Sequence, residues 1–244
     1  MKKLLIVLLI SVLFLCTKSI AKEYIIGVEK LDYMPYYSGK GKEYKGFIRD
    51  LLDAFAKEKG YTFKYKPLPV RRLFNLFINK KVDFKFPDNP NWKSGIKKGK
   101  DVIYSDIVIK TIDGVLVLPE NKGKGIKGLK KLGTVMGFTP WPYKKMIDKG
   151  KIKSYENPNF QGLLKQVLAG KISGAYINVV VAAYQLDKKL NKAGDLVYDP
   201  GLPSDRSNFL MSTIKHKDVI TLLNKYLVKN KKFVKSLKKK YEIK

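Results

Sequence analysis

"GFIRDLLDAFAKEKGYTFKYKPLPVRRLFNLFINKKVDFKF", residues 46–86, changes its hydrophobic period three times. Phe47, Ile48, Leu51, Leu52 and Phe55 recur at helical spacing and stop at Gly60, which predicts an amphipathic helix. "YTFKYK" then alternates as a half-buried strand does, "VRRLFNLFINKK" returns to helical spacing, and "VDFKF" reads as a strand again. With "YIIGV" (24–28) ahead of this stretch the order becomes β-α-β-α-β. That order implies a parallel sheet with helices on its faces, because parallel neighbours need a long crossover and a helix supplies it.

Downstream, "GVLVL" (114–118) begins a second series. It holds the strand "GTVM", a helix from Trp141, the helix "NFQGLLKQVLAGK", the strand "GAYI" and a helix through "VVVAAYQL". After the turn-rich "DPGLPSDRS", a strand "NFLMST" leads into two lysine-rich helices. No repeat of solenoid period and no low-complexity linker interrupts the chain. Two similar α/β units, the first completed by the end of the chain, are expected.

Upstream, "MKKLLIVLLISVLFLCTKSIAKEY" places two lysines before an apolar run from Leu4 to Leu15, then small residues at Ser19 and Ala21. This is the order of a secretory signal, too short for a membrane span. Cleavage is expected after Ala21. Lipid attachment at Cys16 is the competing reading, and bulky Leu15 ahead of it argues against that. Cys16 is the single cysteine, so the mature chain holds no disulfide and no thiolate metal site.

The formal net charge of +29 directs attention to anionic partners: nucleic acid, lipid head groups or small acidic ligands. Only Arg49, Arg71, Arg72 and Arg206 are arginine, however, and lysines populate every segment. That distribution fits a solvated surface better than a binding stripe, and no nucleic-acid partner is expected.

The stretches "GFIRDLLDAFAKEKGYTFKYKPLP", "LFNLFINKKVDFKF", "VIYSD", "IKGLKKLGTVMGFT", "FQGLLKQVLAGKISGAYIN" and "LVKNKKFVKSLKKKYE" follow one another in an order and spacing that resembles a known family. It is the periplasmic solute-binding proteins of the amino-acid-binding type, family 3, and the resemblance covers residues 24–244. It implies an α/β, two-lobed periplasmic binding protein type II fold, each lobe a mostly parallel sheet with helices on both faces. Lobe one would be residues 22–110 with 204–244, and lobe two residues 111–203. The implied function is a hinged trap that closes on a small-molecule ligand and hands it to an ABC-type membrane permease. A monomer without cofactor is expected; a dehydratase-like enzyme or a ligand sensor on the same scaffold are the alternatives.

Ligands of open parallel sheets sit beyond the carboxyl ends of the strands. "PDNPNW" follows the strand ending at Phe86, so Asp88, Asn89 and Trp92 are candidates for the cleft, with Trp92 as a lid on lobe one being the alternative. Asp32, Tyr33, Tyr36 and Tyr37 follow the first strand; in the family an aromatic there covers the ligand side chain. In lobe two, Gly137, Phe138 and Thr139 precede an expected helix start at Pro140, where free N–H groups make an anion seat. Trp141 can point either way.

Two departures from the family pattern bear on the ligand. The arginine expected seven residues before the Ser105 element is Lys98, with Lys97 or Lys100 as substitutes, and lysine lacks the planar fork for a carboxylate. The family's ammonium-binding aspartate falls on Asn178, a neutral amide. An anionic or polar small molecule is therefore expected in preference to a standard α-amino acid. Enzyme parts are scarce: the single histidine, His216, lies in a polar turn expected to be solvated, and no Ser–His–Asp set is present. Asp32 and Asp88 remain a possible carboxylate pair. Finally, Phe233, Val234, Leu237 and Tyr241 make the last helix amphipathic, for docking on lobe one rather than on a membrane.

Overall fold

A computed structural model describes residues 21–243; the expected signal run and Cys16 lie outside the described residues, and Lys22 opens the first strand. The strands are β1 Lys22–Glu29, β2 Asp32–Tyr33, β3 Tyr37–Ser38, β4 Tyr61–Leu68, β5 Phe84–Asp88, β6 Ile103–Tyr104, β7 Ile109–Val117, β8 Lys131–Val135, β9 Lys153–Asn157, β10 Gly174–Asn178, β11 Val197–Tyr198 and β12 Asp205–Thr213. The helices are α1 Phe47–Lys59, α2 Val70–Ile78, α3 Ser94–Lys97, α4 Gly125–Gly128, α5 Lys144–Asp148, α6 Phe160–Leu168, α7 Val179–Tyr184, α8 Lys217–Lys229 and α9 Lys231–Lys240.

The strands run β4-β1-β5-β12-β7-β10-β8-β9. β4, β1 and β5 are parallel, as are β10, β8 and β9, which makes two three-stranded parallel units. Between them lie the two antiparallel strands that connect the lobes. β12 pairs with β7 from Asp205 to Phe209 and with β5 from Leu210 to Thr213, with a register shift between Leu210 and Ser212. One strand thus belongs to both units, and the ends of β1, β5, β8 and β10 face a common crevice, where ligands of such sheets bind.

The stripe read from residues 47–55 is the buried face of α1: Phe47, Ile48, Leu51, Leu52 and Phe55 are all fully buried. Each contributes roughly 1.5–3 kcal/mol of burial. Gly60 ends the helix in the left-handed conformation at φ 68°, which a side chain would resist. In α9, Leu237 is buried while Val234 and, just past the helix end, Tyr241 pack partly buried; the Tyr241 hydroxyl and Lys240 both reach Asp50 of α1, at 2.8 and 2.7 Å. The helix is docked on lobe one through that stripe, and Phe233 stays largely outside it. No described helix is long and apolar enough to cross a membrane.

Some elements differ from the sequence reading. The strand at residues 153–157 lacks a clear apolar alternation and was not expected. β7 starts five residues ahead of Gly114, so Gly114 lies inside the strand, where a Cβ would strike the Tyr198 ring. The segment from Trp141 is a single 3-10 turn followed by the short α5 rather than one helix. His216 is not a free surface residue: its ring packs on Tyr24 and Phe84 at 4.9 and 5.5 Å, and its Nε2 lies 3.1 Å from Asp83.

Candidate functional site

The crevice holds a cavity of about 190 Å³ with walls from both units. Lobe one contributes Glu29 at the end of β1, Tyr33 and Tyr37 of the β2–β3 hairpin, Phe74 of α2, and Asn91, Trp92 and Lys93 of the loop after β5. Lobe two contributes Thr134 at the end of β8, Gly137, Phe138 and Thr139 beyond it, Trp141, and Tyr176, Ile177 and Asn178 of β10. Asp113, Asp205 and Phe209 come from the connecting strands.

The two lobes touch across the crevice. The buried Tyr33 ring packs edge-on against Phe160 at 5.4 Å and Phe138 at 6.3 Å, and the Gln185 amide donates to the Asp32 carbonyl at 3.2 Å. This is a closed arrangement. Tyr33 is backed by Tyr37 (5.2 Å, stacked) and by Tyr36, which is fully buried against Phe209.

Among the residues expected from sequence, Tyr33, Trp92, Phe138, Thr139, Trp141 and Asn178 line the cavity. Asp32, Tyr36, Asp88, Asn89 and Lys98 lie outside its lining. Asp32 instead borders a second hollow between the lobes beside Gln185, Tyr36 is core, and Lys98 is exposed on lobe one. β5 runs two residues further than expected, so Asp88 belongs to the strand and is fully buried. Its carboxylate accepts from Lys97 Nζ at 2.7 Å, Ser212 Oγ at 2.6 Å, the Asn89 backbone N–H at 2.8 Å and Lys85 Nζ at 3.3 Å. Burial pushes the Lys97 ammonium down, against the pull of Asp88. Lys85 also lies 4.1 Å from the Phe74 ring centre and 5.6 Å from that of Trp92, so the buried cluster braces the aromatic wall from behind. Asn89 ties the loop to β12 through the Asn208 carbonyl at 3.1 Å. Trp92 is half-buried on Phe209 at 5.7 Å and also borders the cavity, so its two alternative placements coincide.

The anion seat expected around Phe138 and Thr139 is weaker than the sequence implied. The Phe138 N–H is already bonded to the Val135 carbonyl at 2.9 Å, and no long helix starts here. Pro140 and Pro142 also remove two backbone donors within three residues.

Asn178 has a fuller role than the sequence suggested. It caps α7, its Oδ1 accepting from the N–H groups of Val180 and Val181 at 3.1 and 3.2 Å, while its Nδ2 donates to Asp113 Oδ1 at 3.1 Å. Asn178 and Asp113 are cross-strand partners, as are Asp113 and Asp205. Burial, then the Asp205 charge, push the Asp113 carboxyl up to about 6, with the Asn178 bond opposing. Burial likewise raises Glu29, with the Lys85 charge and the 2.6 Å bond from the Tyr37 hydroxyl pulling the other way. Asp113, Asp205 and Glu29 were missed by sequence reading; Glu29, as the last residue of a parallel strand, could have been found by the strand-end rule. Asn178→Ala removes both cap bonds and is expected to cost about 1–2 kcal/mol in a thermal or urea melt. A loss under a few tenths would mean the cap is replaced by water.

No metal-binding group of histidine, cysteine and acidic residues occurs among the described residues. No protein-family model matches the chain, and no curated protein matches it. Solved structures do. An ancestral arginine-binding protein bound to arginine is 20% identical with a TM-score of 0.70, covering 91% of this chain and 99% of its own. An arginine transport-system periplasmic binding protein from Legionella pneumophila is 15% identical with a TM-score of 0.68, covering 91% and 100%. An ancestral amino-acid-binding protein described as a precursor of cyclohexadienyl dehydratase is 23% identical with a TM-score of 0.66, covering 90% and 95%. With the paired parallel units, the two connecting strands and the crevice between them, these likenesses place the chain in the two-lobed fold of the periplasmic amino-acid-binding proteins.

Proposed function

We propose that the chain is a periplasmic solute-binding protein that encloses one small polar or amino-acid-like molecule between its lobes and delivers it to an ABC-type membrane permease. The observation that carries this reading is the cavity walled from both lobes and closed over by Tyr33 against Phe138 and Phe160. The secretory order of residues 1–21 supports the periplasmic address. The lobes divide as residues 22–110 with 204–244 and residues 111–203, hinged where β7 and β12 cross. Small-angle scattering tests the motion: the unliganded protein is expected to open, and ligand to lower its radius of gyration. A radius that stays the same from free to saturated protein, at the value of the closed form, would mean a rigid module.

Catalysis in the cleft is the second reading, favoured by a carboxyl at Asp113 raised to about 6, where it can give or take a proton near neutral pH. Mass analysis of the ligand after prolonged incubation separates the two: a trap returns it unchanged, an enzyme does not.

A further inference from the structure

Three carboxylates face the cavity of a chain that carries 50 basic and 21 acidic residues. Elsewhere several acids are paired with cations, Asp88 with Lys85 and Lys97, Asp83 with Lys215, Asp53 with Arg49 and Asp50 with Lys240, and the buried Asp199 is held by the backbone N–H groups of Gly123 and Gly201. In the cavity, Glu29, Asp113 and Asp205 have no cation at ion-pair distance among the described residues, and Lys93 is the one basic residue of the lining. Asp113 and Asp205 stand directly opposite each other on adjacent antiparallel strands, a placement in which like charges repel. Asn178 fixes one oxygen of Asp113 and leaves the other free.

A second observation is independent of these charges. The Thr134 side chain, 2% exposed and part of the cavity wall, has a hydroxyl with no hydrogen-bond partner. A buried hydroxyl left without a partner is costly. Around it stand the rings of Tyr33, Trp92, Phe138, Tyr176 and Phe209, whose faces attract cations. For an anion the lining offers the single exposed Lys93, since Lys85 and Lys97 are engaged by Asp88 and Lys98 lies outside.

We propose that the cleft selects an organic ammonium without an α-carboxylate, its charge seated on Asp113 and Asp205 and its body held by the aromatic walls. This rests on the solute-trap reading above and names a cationic ligand class where the sequence pointed to an anionic or polar small molecule. The groups facing Asp113 are Asn178 and Tyr176 of β10, Asp205 of β12, and Tyr33 and Tyr36 of the hairpin, so a proton on Asp113 is the competitor of the ligand charge. Binding should weaken as pH falls through about 6, approaching tenfold per unit below it.

Phenethylamine, phenylalanine and 3-phenylpropanoate share one ring and differ in charge, and their affinities are to be measured by calorimetry with scattering on each mixture. Phenethylamine is expected to bind at least tenfold more tightly than the other two at pH 7, and Asp113→Asn and Asp205→Asn each to weaken it at least tenfold. Tighter binding of phenylalanine or 3-phenylpropanoate, with the lobes closing, overturns the cation and leaves the trap standing. So does phenethylamine binding that neither variant changes. If none of the three binds, native mass spectrometry of the protein from its own periplasm decides: a co-purified cation supports the proposal, an anion or zwitterion overturns it, and an empty protein that never closes overturns the trap as well.

Discussion

Asp88→Ala is expected to destabilise the protein by about 3–5 kcal/mol, the loss typical of removing one partner from a buried ion cluster. Asp88 is fully buried and takes charge-assisted bonds from Lys85 and Lys97 together with the Ser212 hydroxyl. Without it two ammonium groups remain inside lobe one with the Pro87 and Asn89 carbonyls as hydrogen-bond partners, ring faces beside them and the Glu29 charge acting on Lys85 from beyond ion-pair distance. Lys97→Met should be far milder, since Lys85 still balances Asp88 and burial already disfavours the Lys97 charge. Urea melts of both variants test this. An Asp88→Ala loss under 1 kcal/mol would mean that water reaches the lysines and the cluster braces nothing. The cluster also fixes the back of Phe74 and Trp92, so any folded Asp88 variant is expected to lose ligand affinity without a change in cavity charge.

Asp113→Asn is expected to act in the opposite direction, stabilising the unliganded protein while disabling its site. The carboxyl is raised from 3.8 to about 6 in the folded chain. The folded state therefore holds its proton better than the unfolded state. That advantage is complete below pH 4 and disappears as pH rises through 6. Above that the buried charge opposes folding by up to about 3 kcal/mol, at 1.36 kcal/mol per unit. Asparagine keeps an acceptor for the Asn178 amide and carries no charge. The variant should then melt several degrees above the parent at pH 7 and level with it at pH 4. Equal melting at both pH values would show that the cavity hydrates Asp113 and leaves its acidity ordinary. A gain in stability joined to a loss of binding is the mark of a group kept for its ligand.

Much of this fold is written locally. The three period changes in residues 46–86 determine α1, β4, α2 and β5, because burial on one face needs apolar residues at the repeat of that element. The stripe of α9 was legible for the same reason, although Phe233 sits outside it. Tyr33, Trp92 and Phe138 could be placed at the cavity because they follow strand ends, and the strand ends of a parallel sheet share one side.

The polar half of the site was decided by the tertiary structure. Asp88 was assigned to the cleft, yet β5 extends through it and lobe one closes around it; a strand boundary two residues off turns a ligand group into a core ion. Asp113 precedes Gly114, a pair that reads locally as a turn, and Asp205 lies in a turn-rich stretch. Neither looks like a site alone. They become one because β7 and β12 run antiparallel and set these two residues side by side, with Asn178 on the strand beyond. Composition and periodicity determine which residues an element buries, since that is a property of neighbours along the chain. Which carboxylates meet across the hinge depends on the register of strands far apart in sequence, and only the closed fold sets that register.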